Sequence, residues 1–224
     1  MNGAEILKEL ESLGSEQTRK TYRRHGVTGP QFGVSYANLE KIAGRIKTNH
    51  PLALELWSSG NHDARALAAK IADPEQMDGK IAEAWTKDLN CQAQADCLAS
   101  VVSRSVLARP KMEKWIGSKK EWTGRAGWSI LAHLAMNSND LPDAFFDAYL
   151  DMIGRDIHQR QNYVRQAMNT ALIAIGARNP ALTRKALAVA KKIGKVSVDH
   201  GDTACKTPDA AEYIKKRVAR RKSS

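Results

Sequence analysis

The feature that most constrains this chain is a helical period that hardly ever breaks. Apolar residues return every three or four positions from "GAEILKELESLG" (3–14) to "TPDAAEYIKKRVARR" (207–221). No stretch keeps the period of two that a half-buried strand needs. Thirteen segments of this kind follow one another with short linkers, and 224 residues are enough to bury a sizeable core. Ser15, Pro74 and Pro208 are expected to start helices, and Gly14, Gly60, Gly154 and Gly194 to stop them. The reading is one continuous all-α domain over 1–224, ending in a basic tail from about 215.

Laid in pairs, the helices repeat. Trp57, Trp85 and Trp115 each end the first helix of a pair. The second helices then superimpose as "DARALAAKIA", "AQADCLASVV", "WTGRAGWSILA" and "NYVRQAMNTALIA". One register through them contains Arg65, Asp96, Arg125 and Arg165. Two-helix units of this length belong to HEAT-like repeats, which stack into a curved α-solenoid with an extended concave surface. If the second helices line that surface, Asp96 is the one negative charge in a cationic groove. Its own helix agrees, because Gln92, Asp96, Ser100 and Ser103 share one face while Ala93, Cys97 and Val101 turn toward the core.

Charge sharpens the expectation. Residues 1–100 carry 12 Lys and Arg against 13 Asp and Glu, whereas residues 101–224 carry 23 against 11. A basic half of this kind suits a polyanion such as nucleic acid. The three cysteines, Cys91, Cys97 and Cys205, form no Cys-x-x-Cys pair, and two lie in an apolar helix, as expected of free thiols in a reducing cytoplasm. No run of 18 apolar residues is present to span a membrane, and the acidic N-terminus does not read as a signal peptide.

Longer patterns carry a resemblance. "PQFGVSYANLEKIAGRIK" (30–47) followed by "LALELWSSGNHDARALAAKIAD" (52–73) resembles the bacterial alkylpurine DNA glycosylases built from HEAT-like repeats, the AlkD family. The likeness extends through "EWTGRAGWSILAHLA" (121–135) and "VRQAMNTALIAIGARNPALTRKAL" (164–187), and so covers most of the chain. It implies DNA alkylation repair: excision of cationic methylated purines, such as 3-methyladenine and 7-methylguanine, from double-stranded DNA without base flipping. It also implies a monomer with no cofactor and no metal. In that family one Asp stabilises the developing sugar cation or positions water, one Arg grips phosphate, and two Trp pack against the DNA backbone. Asp96 matches the catalytic Asp and Arg125 the phosphate-binding Arg. The tryptophans are not matched: the family's Trp-Asp-x-x-Asp reads "QAQAD" here, with Gln92 first, and Thr170 takes the second place.

A methylated purine leaves as a neutral base, so Asp96 need only stabilise positive charge on the sugar, and Gln92 and Ser100 could orient water. Arg65, Arg125 and Arg165 are the phosphate candidates, with Gln92 beside them on the DNA-facing surface. Their alternative is salt bridging between repeats, with Asp63 or Glu121 as partners, and Asp96 could equally pair with Arg65 or Arg125. Lys215, Lys216, Arg217, Arg220, Arg221 and Lys222 would either lie along DNA or fray. "VDHGDTACK" (198–206) has no zinc spacing and reads as a turn. Trp57, Trp85, Trp115 and Trp128 are expected in the core and Trp122 near the groove. Two alternatives to a glycosylase remain: a non-catalytic module that binds damaged or branched DNA, and a protein-binding scaffold.

Overall fold

The computed structural model describes residues 2–222, except the side chain of Lys222. Lys222's side chain, Ser223 and Ser224, at the end of the expected basic tail, lie outside the described residues. The fold is all-α: thirteen α-helices and two short 3-10 turns, with no strand among the described residues. The chain divides into two compact units. One runs to Ala108 and takes in Gly201–Thr203; the other holds Arg109–His200 and the chain from Ala204 onward.

The first unit contains α1 (Gly3–Ser12), α2 (Glu16–Arg24), α3 (Tyr36–Ile46), α4 (His50–Ser58), α5 (His62–Ile71), α6 (Gly79–Lys87) and α7 (Gln92–Val102). Ser15 caps α2 as expected, its hydroxyl accepting from Thr18 N–H. Pro74 departs from expectation: it opens only a 3-10 turn, and α6 starts at Gly79. The cause is two successive aspartate caps. Asp73 receives Glu75 N–H, and Asp78 then receives Lys80 and Ile81 N–H at 2.8 Å each. Helix α5 is the hub, packing on α3, α4 and α7. Trp57 and Trp85 are buried and stack face to face, their rings 3.9 Å apart and 2° from parallel. The tryptophan that ends each first helix is therefore a packing element between neighbouring repeats.

The second unit is built from α8 (Ala108–Trp115), α9 (Glu121–Asn137), α10 (Asp143–Asp156), α11 (Asn162–Gly176), α12 (Pro180–Ile193) and α13 (Ala210–Lys222). Its main axis is α9 against α11, with α10 on α12 and α13 on α11 and α12. Helix α11 is buried nearly all round, from Val164 to Gly176. Gly127 permits close approach in α9, since a Cβ there would stand 2.6 Å from Ile116 N and 2.8 Å from Trp115 C. Gly194 ends α12 with φ near +63°, as expected. Gly154 does not end α10, which runs on to Asp156. A Cβ at Gly154 would meet Val189 only in ordinary contact, so packing does not require a glycine there. Trp115 and Trp128 are core residues, each 1% exposed. Among the described residues, no helix is long and apolar enough to cross a membrane.

Candidate nucleic-acid interface

The four register residues each fall at the fourth or fifth position of a helix: Arg65 in α5, Asp96 in α7, Arg125 in α9 and Arg165 in α11. The structure therefore keeps the register that the repeat implied. What each side chain does differs between them.

Helix α7 buries Gln94, Ala95, Leu98, Ala99, Val101 and Val102. Gln92, Asp96, Ser100 and Ser103 are half-buried on the other side. Val101 is in the core as expected, whereas Ala93 and Cys97 lie at the border and are only half-buried. Burial, with the neighbouring Asp96 carboxylate, pushes the Cys97 thiol up to about 12, so it is protonated at neutral pH. Asp96 is half-buried and belongs to a polar stripe that contains no aromatic side chain.

Beside this stripe lies a rigid bed that the sequence reading did not identify. Asp63, fully buried, accepts three successive backbone N–H groups: Phe32 at 2.7 Å, Gly33 at 3.1 Å and Val34 at 2.8 Å. The buried Tyr22 hydroxyl donates to Val34 O at 2.5 Å. Gly33 has φ near +80°, and a Cβ would stand 2.5 Å from Ser15 O and 2.8 Å from Arg19 N. Only glycine fits there. The pinned segment delivers Ser35, which caps α3, and then Tyr36, whose side chain is 44% exposed. The Tyr36 ring meets Tyr22 edge-on at 6.0 Å, and Tyr22 meets His62 at 5.0 Å. His62 Nδ1 in turn lies 3.9 Å from Cys91 Sγ, at the start of α7. Burial raises the pKa of the Tyr36 phenol, assisted by Cys97, Tyr22, Cys91 and Asp96, so all four are within electrostatic reach of it.

The arginines are engaged to different degrees. Arg65, with its side chain 11% exposed, donates to Trp57 O and Asp88 O and pairs with Asp88 Oδ2 at 3.5 Å. Its guanidinium lies 5.4 Å from the Trp57 ring. Arg125, 7% exposed, donates to Tyr163 O at 3.1 Å and to Gln166 Oε1 at 2.8 Å, tying α9 to α11. Arg65 pairs with Asp88 rather than with Asp63, which holds the 32–34 backbone, and Glu121 accepts Tyr163 N–H at 2.7 Å. Arg165 is half-buried and makes a long bond of 3.4 Å to Asn162. Trp122, half-buried, packs against Tyr163 at 5.2 Å.

The C-terminal basic segment is helical rather than frayed over its described length. Ile214 is fully buried, and Arg221 donates to Ala177 O and Arg178 O. Lys215, Lys216, Arg217, Arg220 and Arg221 are exposed along α13. In "VDHGDTACK", Asn162 brackets the Asp199 backbone with two 2.7 Å bonds, and His200 Nε2 meets Thr207 Oγ1 at 2.9 Å. These contacts fix a turn leading toward α13.

Two residues of this region, Asp63 and Tyr36, were missed by sequence reading. A signal was available for the first: in "NHDARALAAK" the acid follows the cap Asn61 inside an otherwise apolar helix, where an isolated carboxylate needs several donors.

Known proteins place this geometry. The family model for the DNA alkylation repair enzyme matches residues 6–214. An uncharacterised protein of Listeria innocua is 34% identical over 215 residues, covering 93% of each chain. One of Listeria monocytogenes is 33% identical over the same length and coverage. A solved structure superposes with a TM-score of 0.90 at 32% identity, over 99% of this chain and 95% of its own. It is described as representing a new family related to the HEAT-like repeat DNA glycosylases with affinity for branched DNA structures. With its helical repeats, its register and a family match over nearly its whole length, the chain belongs to the DNA alkylation repair family of HEAT-like-repeat proteins.

Proposed function

We propose that this protein binds DNA through its second-helix surfaces and α13, and recognises branched or distorted duplex without cutting a glycosidic bond. The observation that carries this reading is the state of α7. The carboxylate is retained at Asp96 on a half-buried polar stripe, but Gln92 opens the helix and no aromatic residue lies on it. On α11, Thr170 is exposed at the second position where the family has tryptophan. The tryptophans that would hold a deoxyribose against the carboxylate are thus replaced at both positions by Gln92 and Thr170. The solved relative with affinity for branched DNA, at 32% identity, points the same way. Affinity comes from phosphate contacts, for which Arg165 and the exposed lysines and arginines of α13 are the best placed.

One observation favours a second reading, in which Asp96 supports excision of cationic alkylpurines. The side chain is only half-buried and matches the family's catalytic Asp by resemblance, and such a leaving group needs no general acid. Fluorescence anisotropy on forks, four-way junctions and continuous duplex of equal length, paired with base release from methylated DNA, separates the two. The first reading expects roughly ten-fold tighter binding to the branched forms, which weakens as salt rises, and no released base. Equal affinity for branched and continuous DNA would overturn it. Release of 3-methyladenine that Asp96→Asn abolishes, with folding and binding intact, would establish the second.

A further inference from the structure

We propose that Tyr36 is a stacking platform for a nucleobase that has lost its neighbour at a branch point. This inference rests on the branched-DNA reading above and names the chemical feature that is recognised.

Among the described residues, Tyr36 is the only exposed aromatic side chain of the first unit; Tyr22, Trp57 and Trp85 are buried. Nothing in α3 calls for an aromatic at its first position. The cap bond is made by Ser35, whose hydroxyl accepts Asn38 N–H, and the buried face of the helix is supplied by Leu39 and Ile42. An exposed ring of this size ordinarily sits on a mobile side chain over an undemanding surface. Here the backbone that leads to it is pinned by a fully buried carboxylate, a tyrosine hydroxyl and a glycine that nothing else can replace. Tyr22 abuts one side of the ring edge-to-face and leaves the exposed remainder to solvent. That is the construction of a preorganised platform, in which the ordering of an aromatic group is already complete before a ligand arrives.

The occupant follows from the chemistry of the ring. A phenol face offers dispersion and offset stacking, and a nucleobase is the flat partner that DNA can supply. Inside continuous duplex each base is already stacked on both faces, so a platform on the protein adds nothing. At a fork or junction a base has lost one neighbour, and the Tyr36 ring can take its place. Asp96, whose carboxylate acts on the Tyr36 phenol, shares its stripe on α7 with Gln92 and Ser100, side chains that offer hydrogen-bond donors and acceptors for the edge of a base. Stacking of this kind is tolerant of base identity, so the platform selects unstacked bases over stacked ones and not one sequence over another.

The test uses the full chain, with Tyr36→Phe and Tyr36→Leu, on a fork that carries 2-aminopurine at the unpaired position beside the junction. Thermal melting of both variants establishes that they fold. The wild type and Tyr36→Phe are expected to quench the probe on binding and to keep the preference for fork over duplex. Tyr36→Leu is expected to leave the probe bright and to lose roughly ten-fold on the fork, with duplex affinity unchanged. Quenching and preference that survive in Tyr36→Leu would overturn the platform and leave the branched-DNA reading standing. An equal loss on fork and duplex would also overturn it. A wild type without preference for the fork would overturn both.

Discussion

In the first unit a buried acid gathers backbone N–H groups, with Arg65 also binding carbonyls at helix ends, whereas in the second unit several arginines gather backbone carbonyls. Asp63 draws Phe32, Gly33 and Val34 into a fixed turn. Across the second unit, Arg160 donates to Ile116 O beyond the end of α8, and Arg178 to Ala135 O in the last turn of α9. Arg221 does the same for the end of α11. These carbonyls have no partner within their own helices, and a guanidinium both satisfies them and complements the negative end of the helix dipole. The basic half of the sequence is thus only partly a basic surface. Some of its arginines hold helix ends together, while α13 carries a row of exposed cations and Arg165 is half-buried.

The largest expected effect breaks the first unit's device. Asp63→Ala leaves three buried or half-buried N–H groups without their acceptor and should cost about 3–5 kcal/mol in urea unfolding. Asp63→Asn keeps the shape and one oxygen and should cost about 2 kcal/mol. A loss below about 1 kcal/mol for the alanine variant would mean that the turn does not depend on the carboxylate. Since Tyr36 follows that turn directly, both variants should also weaken fork binding more than duplex binding.

The second unit's device is worth less per residue. Arg125→Gln removes the bonds to Tyr163 O and Gln166 and should destabilise by about 1–2 kcal/mol. Arg165→Gln, by contrast, should change stability by no more than about 0.5 kcal/mol. If Arg165 meets phosphate, the same substitution should reduce the slope of log affinity against log salt by about one. An Arg165 variant that alters melting but not the salt slope would reverse the roles assigned to these two arginines.

The helices were legible because their determinants are local. Ser15 before "EQT", Gly194 after "AKKI" and the buried spacing of Ala95, Leu98 and Val102 are all read within one or two turns. The 74–88 segment was misjudged where two aspartate caps compete for the same stretch, and Gly154 because α10 runs through the glycine to Asp156. At the site, Asp96 could be placed on a polar stripe by its own helix alone. Tyr36 could not, because its setting brings together Tyr22, Asp63 and the start of α7, which are joined only by the fold. Nor does the sequence distinguish Arg165, loosely held, from Arg125, hydrogen-bonded to a carbonyl. The two occupy the same register and differ only in what the neighbouring helix presents to them.

The smallest expected effect is a pH dependence confined to the first unit. His62 is 2% exposed, wedged between the Tyr22 ring and Cys91, and its Nε2 has no hydrogen-bond partner among the described residues. Burial lowers its pKa; Asp63 opposes the shift and Arg65 adds to it. The folded state therefore holds a neutral imidazole where the unfolded chain, with a pKa of about 6.5, takes up a proton. More protons on the unfolded state mean that stability rises with pH through this window and is lost as the pH falls below about 6.5. Structural carboxylates respond only nearer pH 4, and over about pH 7 to pH 5 the comparison with His62→Gln separates His62 from the other histidines. The urea midpoint of the wild type should decline across that interval, while His62→Gln, lower at pH 8, should give a flatter line. A wild-type midpoint that stays level to pH 5 would mean that the first unit accommodates the charged ring, by opening locally around Tyr22 and the bed that carries Tyr36.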